Sequence, residues 1–145
     1  QIGVYVAPSY VERLGAPAHP RELQNTDHCI VGFLSSRTSK IDPLVLCSEN
    51  ERIEITGNYV LAVDDGNAYH EAGLVGLGVI ALPNYMAAAH QAVGALIPLF
   101  TQWRISPMPL YLAFPPNRHV NAKLRVFIDW IVELMEQHVP IANNQ

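Results

Sequence analysis

The chain has 145 residues and a mass of 16.0 kDa, a length that suits one compact domain. Hydrophobic residues make up 50% and charged residues 15%, with a mean hydropathy of +0.13, so the chain can bury a sizeable core and disorder is excluded as its overall state. Nine basic against thirteen acidic groups give a net charge of −4 and a sequence pI near 5.8, which argues against a face that wraps duplex nucleic acid, and no apolar run of about 18 residues offers a membrane-spanning helix.

In chain order, Ile2 to Ala7 reads as a strand ended by Pro8. Pro8 to Gly15 reads as a short helix, with proline in its first turn and glycine as its C-terminal cap. A proline-containing loop, Ala16 to His19, leads to one more helical turn over Pro20 to Asn25. Cys29 to Leu34 is a continuous apolar run with β-branched and aromatic members, the pattern of a buried strand. Ser35 to Pro43 is a polar loop. Leu44 to Leu46, Arg52 to Thr56 and Tyr59 to Val63 read as strands, and the turn signals between them predict an antiparallel meander. Asp64-Asp65-Gly66-Asn67 opens a helix to about Gly76, where either aspartate can cap the free N–H groups. Val79 to Leu82 is a strand, Asn84 to about Val93 a helix, and Leu96 to Phe100 and Leu110 to Phe114 are strands. From about Asn121 to Gln137 runs the clearest helix. Leu124, Phe127, Ile128, Ile131, Leu134 and Met135 follow the 3.6-residue period and predict a buried face. Ile141 to Gln145 reads as a frayed tail. Strands and helices alternate, so the class is α/β.

Catalytic signatures are missing: there is no G-x-S-x-G, P-loop, H-E-x-x-H or G-x-G-x-x-G. The glycines of Gly73-Leu-Val-Gly-Leu-Gly78 follow a helix, where a phosphate loop must precede one, so helix termination and close packing account for them. None of the six histidines stands at a recognised zinc spacing, and no metal or cofactor is expected. Cys29 and Cys47 lie among apolar residues and read as buried free thiols, with a disulfide as the minority reading. No signal-peptide pattern opens the chain, which points to the cytoplasm; a removed signal peptide stays open. The start at Gln1 rather than Met, inside a strand-like run, reads as a fragment, a processed product or part of something larger. The most informative polar cluster is Ser35-Ser36-Arg37-Thr38, which follows directly on a buried strand. In open α/β sheets ligands sit at strand ends. Two hydroxyls and a guanidinium there can hold a carboxylate or another acceptor-rich small molecule, and a solvated loop is the plainer alternative. The helix start at Asp65 to Asn67 can face the same crevice, although the acidic pair disfavours a strongly anionic ligand.

The order of motifs carries more than any one of them. Val6-Ala-Pro-Ser-Tyr10 with Gly15-Ala-Pro17, Pro20-Arg-Glu-Leu23 with His28-Cys-Ile30, and Val63-Asp-Asp-Gly66 followed by Ala72 to Gly78 and Val79 to Pro83 come first. Gly94-Ala-Leu-Ile97, Pro109 to Pro115, Arg118 and Arg125-Val-Phe-Ile-Asp-Trp130 follow. Together they resemble the effector-binding portion of LysR-type bacterial transcriptional regulators, from about Gly3 to Leu134. One departure is Asp64, where the family often has asparagine.

The resemblance implies a periplasmic-binding-protein-like (type 2) effector domain, here one full α/β subdomain plus the closing helix of the other. Residues 1–7 become a crossover strand, 8–108 the second subdomain, 109–138 the return strand and C-terminal helix of the first, and 139–145 the tail. It also implies a small effector in the cleft between subdomains and a homodimer or homotetramer. DNA would be bound by an N-terminal winged helix-turn-helix outside this chain, with no membrane partner. The cleft-facing candidates are Phe33, Leu34, Ser35, Ser36 and Arg37 at the strand end, Asp64, Asp65 and Asn67 at the helix start, and Pro8 near the hinge. No turnover is expected. An extracytoplasmic solute-binding protein of related fold is the alternative. An enzyme using Ser35 or the Asp64–Asp65 pair is disfavoured, because no motif places a base beside either.

Overall fold

The computed structural model of the chain describes residues 1–25, 27–106 and 122–138. They belong to two compact units, Gln1–Pro107 and Met108–Gln145. In the first unit β1 (Ile2–Val6) lies between β6 (Ile80–Pro83) and β7 (Ile97–Leu99), antiparallel to both. Parallel to each other, β2 (Ile30–Phe33) and β5 (Tyr59–Val63) form a second ribbon. Residue Val79 joins the two: its carbonyl accepts from Val31 N–H at 3.0 Å, and its N–H donates to Cys29 O at 2.9 Å. Through this parallel bridge the strand order is β5-β2-β6-β1-β7, with β1 alone running against the other four. The carboxyl ends of four strands and the start of β1 therefore share one edge.

Period-2 alternation sorts the side chains of this sheet into two cores. Val4, Val6, Ile30, Val79 and Leu99 face one way, onto Leu46, Ile53 and Ile55 of a second sheet and onto Tyr10 and Leu23. That second sheet has β3 (Leu44–Cys47) between β4 (Arg52–Ile55) and β8 (Arg104–Ile105), all antiparallel. Tyr5, Val31, Ile80 and Leu82 face the other way, onto Tyr69, Ala72 and Ala87 of the helices α2 (Gly66–Leu74) and α3 (Asn84–Ala92). Helices, main sheet and small sheet make three layers.

The glycine cluster after α2 terminates the helix. Gly76 takes φ 75°, Leu77 N–H reaches Ala72 O at 3.0 Å, and Gly76 N–H reaches Gly73 O at 3.0 Å. This is the paired bonding of a glycine-terminated helix, which satisfies carbonyls that would otherwise be orphaned. At Gly73 a side chain would run into Ile80, so the absence of a Cβ there lets α2 sit close on β6.

Three expectations need correction. The meander stops after β3 and β4: β5 leaves for the main sheet, where Asn58 O accepts from Ile30 N–H at 2.9 Å. The far edge of β3 is taken instead by β8, a two-residue strand without a sequence signal of its own. Both cysteines are free but only half-buried.

The third correction concerns the second unit, which contains α4 (Ala122–His138). Leu124, Ile128, Ile131, Leu134 and Met135 are half-buried along one stripe, but Phe127 is 49% exposed and pairs at i, i+3 with the exposed Trp130, ring centroids 5.9 Å apart. At 3.6 residues per turn Phe127 falls between Ile131 and Leu134 on that stripe, so the helical period alone does not account for its exposure. The Leu110 to Phe114 strand, Asn121 and the tail from Ile141 lie outside the described residues.

Candidate functional site

The candidate strand ends leave the sheet side by side. Phe33 of β2 stands opposite Val63 of β5, and Leu34 N–H donates to Val63 O at 2.7 Å. Neighbouring strands are about 4.8 Å apart, so the Ser35 turn and the Asp64–Asp65 helix start emerge as neighbours. Phe33 is 38% exposed and its ring meets the edge of Tyr69 at 5.5 Å, which ties the end of β2 to α2.

Beyond Leu34 the chain folds back on itself. Ser35 N–H donates to Lys40 O at 2.9 Å, Ser39 N–H to Ser35 O at 2.8 Å and Asp42 N–H to Phe33 O at 3.0 Å. Ser39 sits at φ 52° to close the turn. Ser36 and Arg37 are exposed at its tip, and Ser35 is half-buried at its base. A closed turn of this kind fixes the backbone from which the exposed guanidinium and hydroxyl project.

Asp65 caps α2. Its Oδ1 accepts from Asn67 N–H at 2.9 Å and from Ala68 N–H at 2.8 Å. That carboxylate already satisfies two of the free helix donors, so the helix start presents acceptor character rather than an open anion site. Asp64 and Asn67 are exposed beside it.

Pro8 is not brought to this edge. It follows the far end of β1, where the chain packs near Tyr10 and Cys29, six residues along from Ile2. At strand rise this is roughly 20 Å from the edge that carries Phe33. The end of β1 nearest the Ser35 turn and α2 is Gln1 to Gly3.

A cavity of about 300 Å³ lies at that same end, between β1, α3 and the chain after β7. Gln1, Tyr5, Asn84, Gln91, Thr101 and Trp103 supply its polar groups, and among the described residues no Asp, Glu, Lys, Arg or His lines it. Tyr5 donates from its hydroxyl to Asn84 Oδ1 at 3.1 Å, and Asn84 N–H donates to Gln1 O at 2.9 Å. Burial raises the Tyr5 phenol above its ordinary value, against a lowering hydrogen bond with Gln91. The Tyr69 phenol, whose oxygen accepts from Ala81 N–H at 2.9 Å, is also raised by burial. Both therefore stay neutral hydrogen-bonding groups. These lining residues carry no motif; only the pairing of β1 with β6 and β7 gathers them.

The model of the LysR substrate binding domain family matches residues 1–136. An HTH-type transcriptional repressor of Pseudomonas aeruginosa is 25% identical over 141 residues, covering 97% of this chain and 44% of its own length. The HTH-type transcriptional regulator CrgA of Neisseria meningitidis is 28% identical over 131 residues, covering 90% of this chain and 42% of its own length. The chain thus spans less than half of these relatives. Among solved structures, the regulatory domain of an AphB variant from Vibrio vulnificus superposes with TM-score 0.73 at 22% identity, covering 91% of this chain and 64% of its own. The CrgA regulatory domain follows with TM-score 0.66 at 21% identity, covering 92% and 64%. These structures share the fold, and the family match extends over nearly the whole sequence: the chain belongs to the LysR substrate-binding domain family.

Proposed function

We propose that the chain is the effector-sensing part of a LysR-type transcription regulator, without catalytic turnover of its own. The observation that carries this reading is the Phe33–Val63 pairing, which sets the Ser35–Arg37 turn beside the Asp65-capped start of α2 on one sheet edge. Names of the relatives support regulation over solute capture, since they are transcriptional regulators. On this reading a small molecule is held between this edge and the other subdomain. Arg37 and the serine hydroxyls take its acceptor groups, and the exposed acidic groups limit its total negative charge. A ligand that binds one subdomain arrangement more tightly than another shifts a homo-oligomer between states. Helix-turn-helix modules of the full-length regulator then grip the promoter differently, in the cytoplasm. Among the described residues no helix is long and apolar enough to cross a membrane.

The test is a thermal-shift screen of metabolites on the full-length regulator, followed by calorimetry on any hit. Arg37→Ala is expected to weaken binding by about tenfold or more, with a change in unfolding free energy within about 0.5 kcal/mol because the residue is exposed. Unchanged affinity in that variant rejects the Ser35–Arg37 edge as the binding wall.

A further inference from the structure

His70 of α2 and His90 of α3 bring two imidazoles into direct contact, with ring centroids 4.6 Å apart and planes at 73°. The Nε2 atom of His70 is shut off from solvent and has no hydrogen-bond partner among the described residues. An imidazole nitrogen buried without a partner is destabilising, and among the described residues no other buried side-chain nitrogen or oxygen lacks one. Tyr69, one residue away, meets Ala81 N–H, and the buried His28 meets the Tyr10 hydroxyl.

The backbones under the two rings are well held. Ala95 N–H donates to His90 O at 2.8 Å and Gly94 N–H to Gln91 O at 3.0 Å, so α3 ends in the same bonding pattern as α2. Ring spacing fits a shared metal ion. A nitrogen–metal bond of about 2.1 Å puts the ion about 3.2 Å from each ring centroid, and coordination angles of 90–110° then separate the centroids by about 4.5–5.2 Å. The observed separation falls in that span. The terminal ring torsion of histidine is broad, so the ring orientations can differ between the free and the metal-bound protein.

We propose that His70 and His90 form a two-imidazole site for one borderline divalent transition-metal ion, of the class of Zn²⁺, Ni²⁺ or Cu²⁺, that ties α2 to α3. Neutral imidazole suits these ions and not Mg²⁺ or Ca²⁺. His70 Nε2 is closed to solvent while His90 is half-buried, so water completing the coordination sphere would have to enter from the His90 side. The nineteen residues between the ligands explain why spacing in the sequence shows no metal motif: each helix supplies one. Bound metal would brace two elements of the effector edge together, because α2 opens at Asp65 and α3 carries Asn84 and Gln91 of the cavity. Metal binding itself does not depend on the effector reading.

Titration of the purified protein with ZnCl₂, followed by calorimetry and thermal unfolding, tests the site. The expected result is saturable binding of one Zn²⁺ per chain, reversed by EDTA, with MgCl₂ inert. His70→Gln and His90→Gln are each expected to weaken it at least about tenfold, and His19→Gln to leave it unchanged. A readout free of variants is paramagnetic broadening by Ni²⁺ or Cu²⁺ in the wild-type protein, which should centre on the amides of residues 66–74 and 84–92. Absence of stoichiometric binding, loss in His19→Gln instead, or broadening centred elsewhere overturns the proposal.

Discussion

The Tyr10 hydroxyl and His28 Nδ1 lie 3.0 Å apart inside the protein, where Tyr10 is fully buried and His28 is 8% exposed. The same hydroxyl oxygen accepts from Cys29 N–H at 3.0 Å. The hydroxyl also lies 3.5 Å from Cys29 O, and on its other side His28 Nε2 lies 4.0 Å from Glu22 Oε2. One phenol therefore locks α1 to the start of β2.

Tyr10→Phe should remove that lock with little change in volume. Cys29 N–H and His28 Nδ1 would both lose their partner, and each buried unsatisfied group costs about 1–3 kcal/mol. Urea unfolding should show a lower midpoint at unchanged slope. A midpoint equal to wild type would mean that water replaces the hydroxyl without penalty.

Two glycines share a backbone conformation but not an environment. Gly76 at φ 75° would place a Cβ against Ser9 Oγ and near Tyr10 N, whereas Gly94 at φ 72° has nothing within 4 Å. Gly94→Ala should cost about 1–2 kcal/mol, the penalty of a left-handed residue alone. Gly76→Ala should cost more, by the repacking of Ser9. Equal losses in chemical denaturation would remove the role given to that contact.

Burial raises the phenols of Tyr5, Tyr10, Tyr59 and Tyr69 above the ordinary value of 10.0. A raised folded-state value favours the protonated form in the fold. The corresponding stability is present in full below pH 10.0 and is lost as pH climbs through the folded-state values. Phenolate absorbance should then rise together with loss of the folded circular dichroism signal, with Tyr69→Phe shifting the transition to higher pH. Ionisation of all six tyrosines well before unfolding would contradict this coupling.

Phe127 of α4 is half-exposed, so its truncation should cost well below the roughly 3–5 kcal/mol of a buried phenylalanine. Ile131→Ala, on the half-buried stripe, should cost at least as much as Phe127→Ala. Thermal unfolding of the two variants compares them directly, and a far larger loss at Phe127 would return it to the covered face.

Local chemistry was legible from the residues. Prolines at helix starts and β-branched apolar runs place β1, α1, β2 and α3 to within about two residues, because those signals act between neighbours in the chain. Gly76 reads as a helix stop for the same reason, and Asp65 as a cap. The Ser35–Arg37 turn was legible as a polar cluster behind a buried strand, and the motif order pointed to the family.

Pairing across the fold was decided by tertiary structure. Tyr59 to Val63 has the same strand pattern whether it joins Arg52–Ile55 or crosses to Ile30–Phe33, and only its parallel pairing with Ile30–Phe33 in the folded chain decides between them. Pro8 lies within the motif Val6-Ala-Pro-Ser-Tyr10, yet the antiparallel course of β1 carries it to the far end of the sheet. The cavity at Tyr5, Asn84 and Trp103 and the meeting of His70 with His90 arise in the same way. Sequence determined which segments form strands and helices and where they stop, since hydrogen bonding and sterics there span only a few residues. Which edges meet, and so which side chains share a site, was set by packing two cores on opposite faces of one sheet, a condition that no short stretch of residues contains.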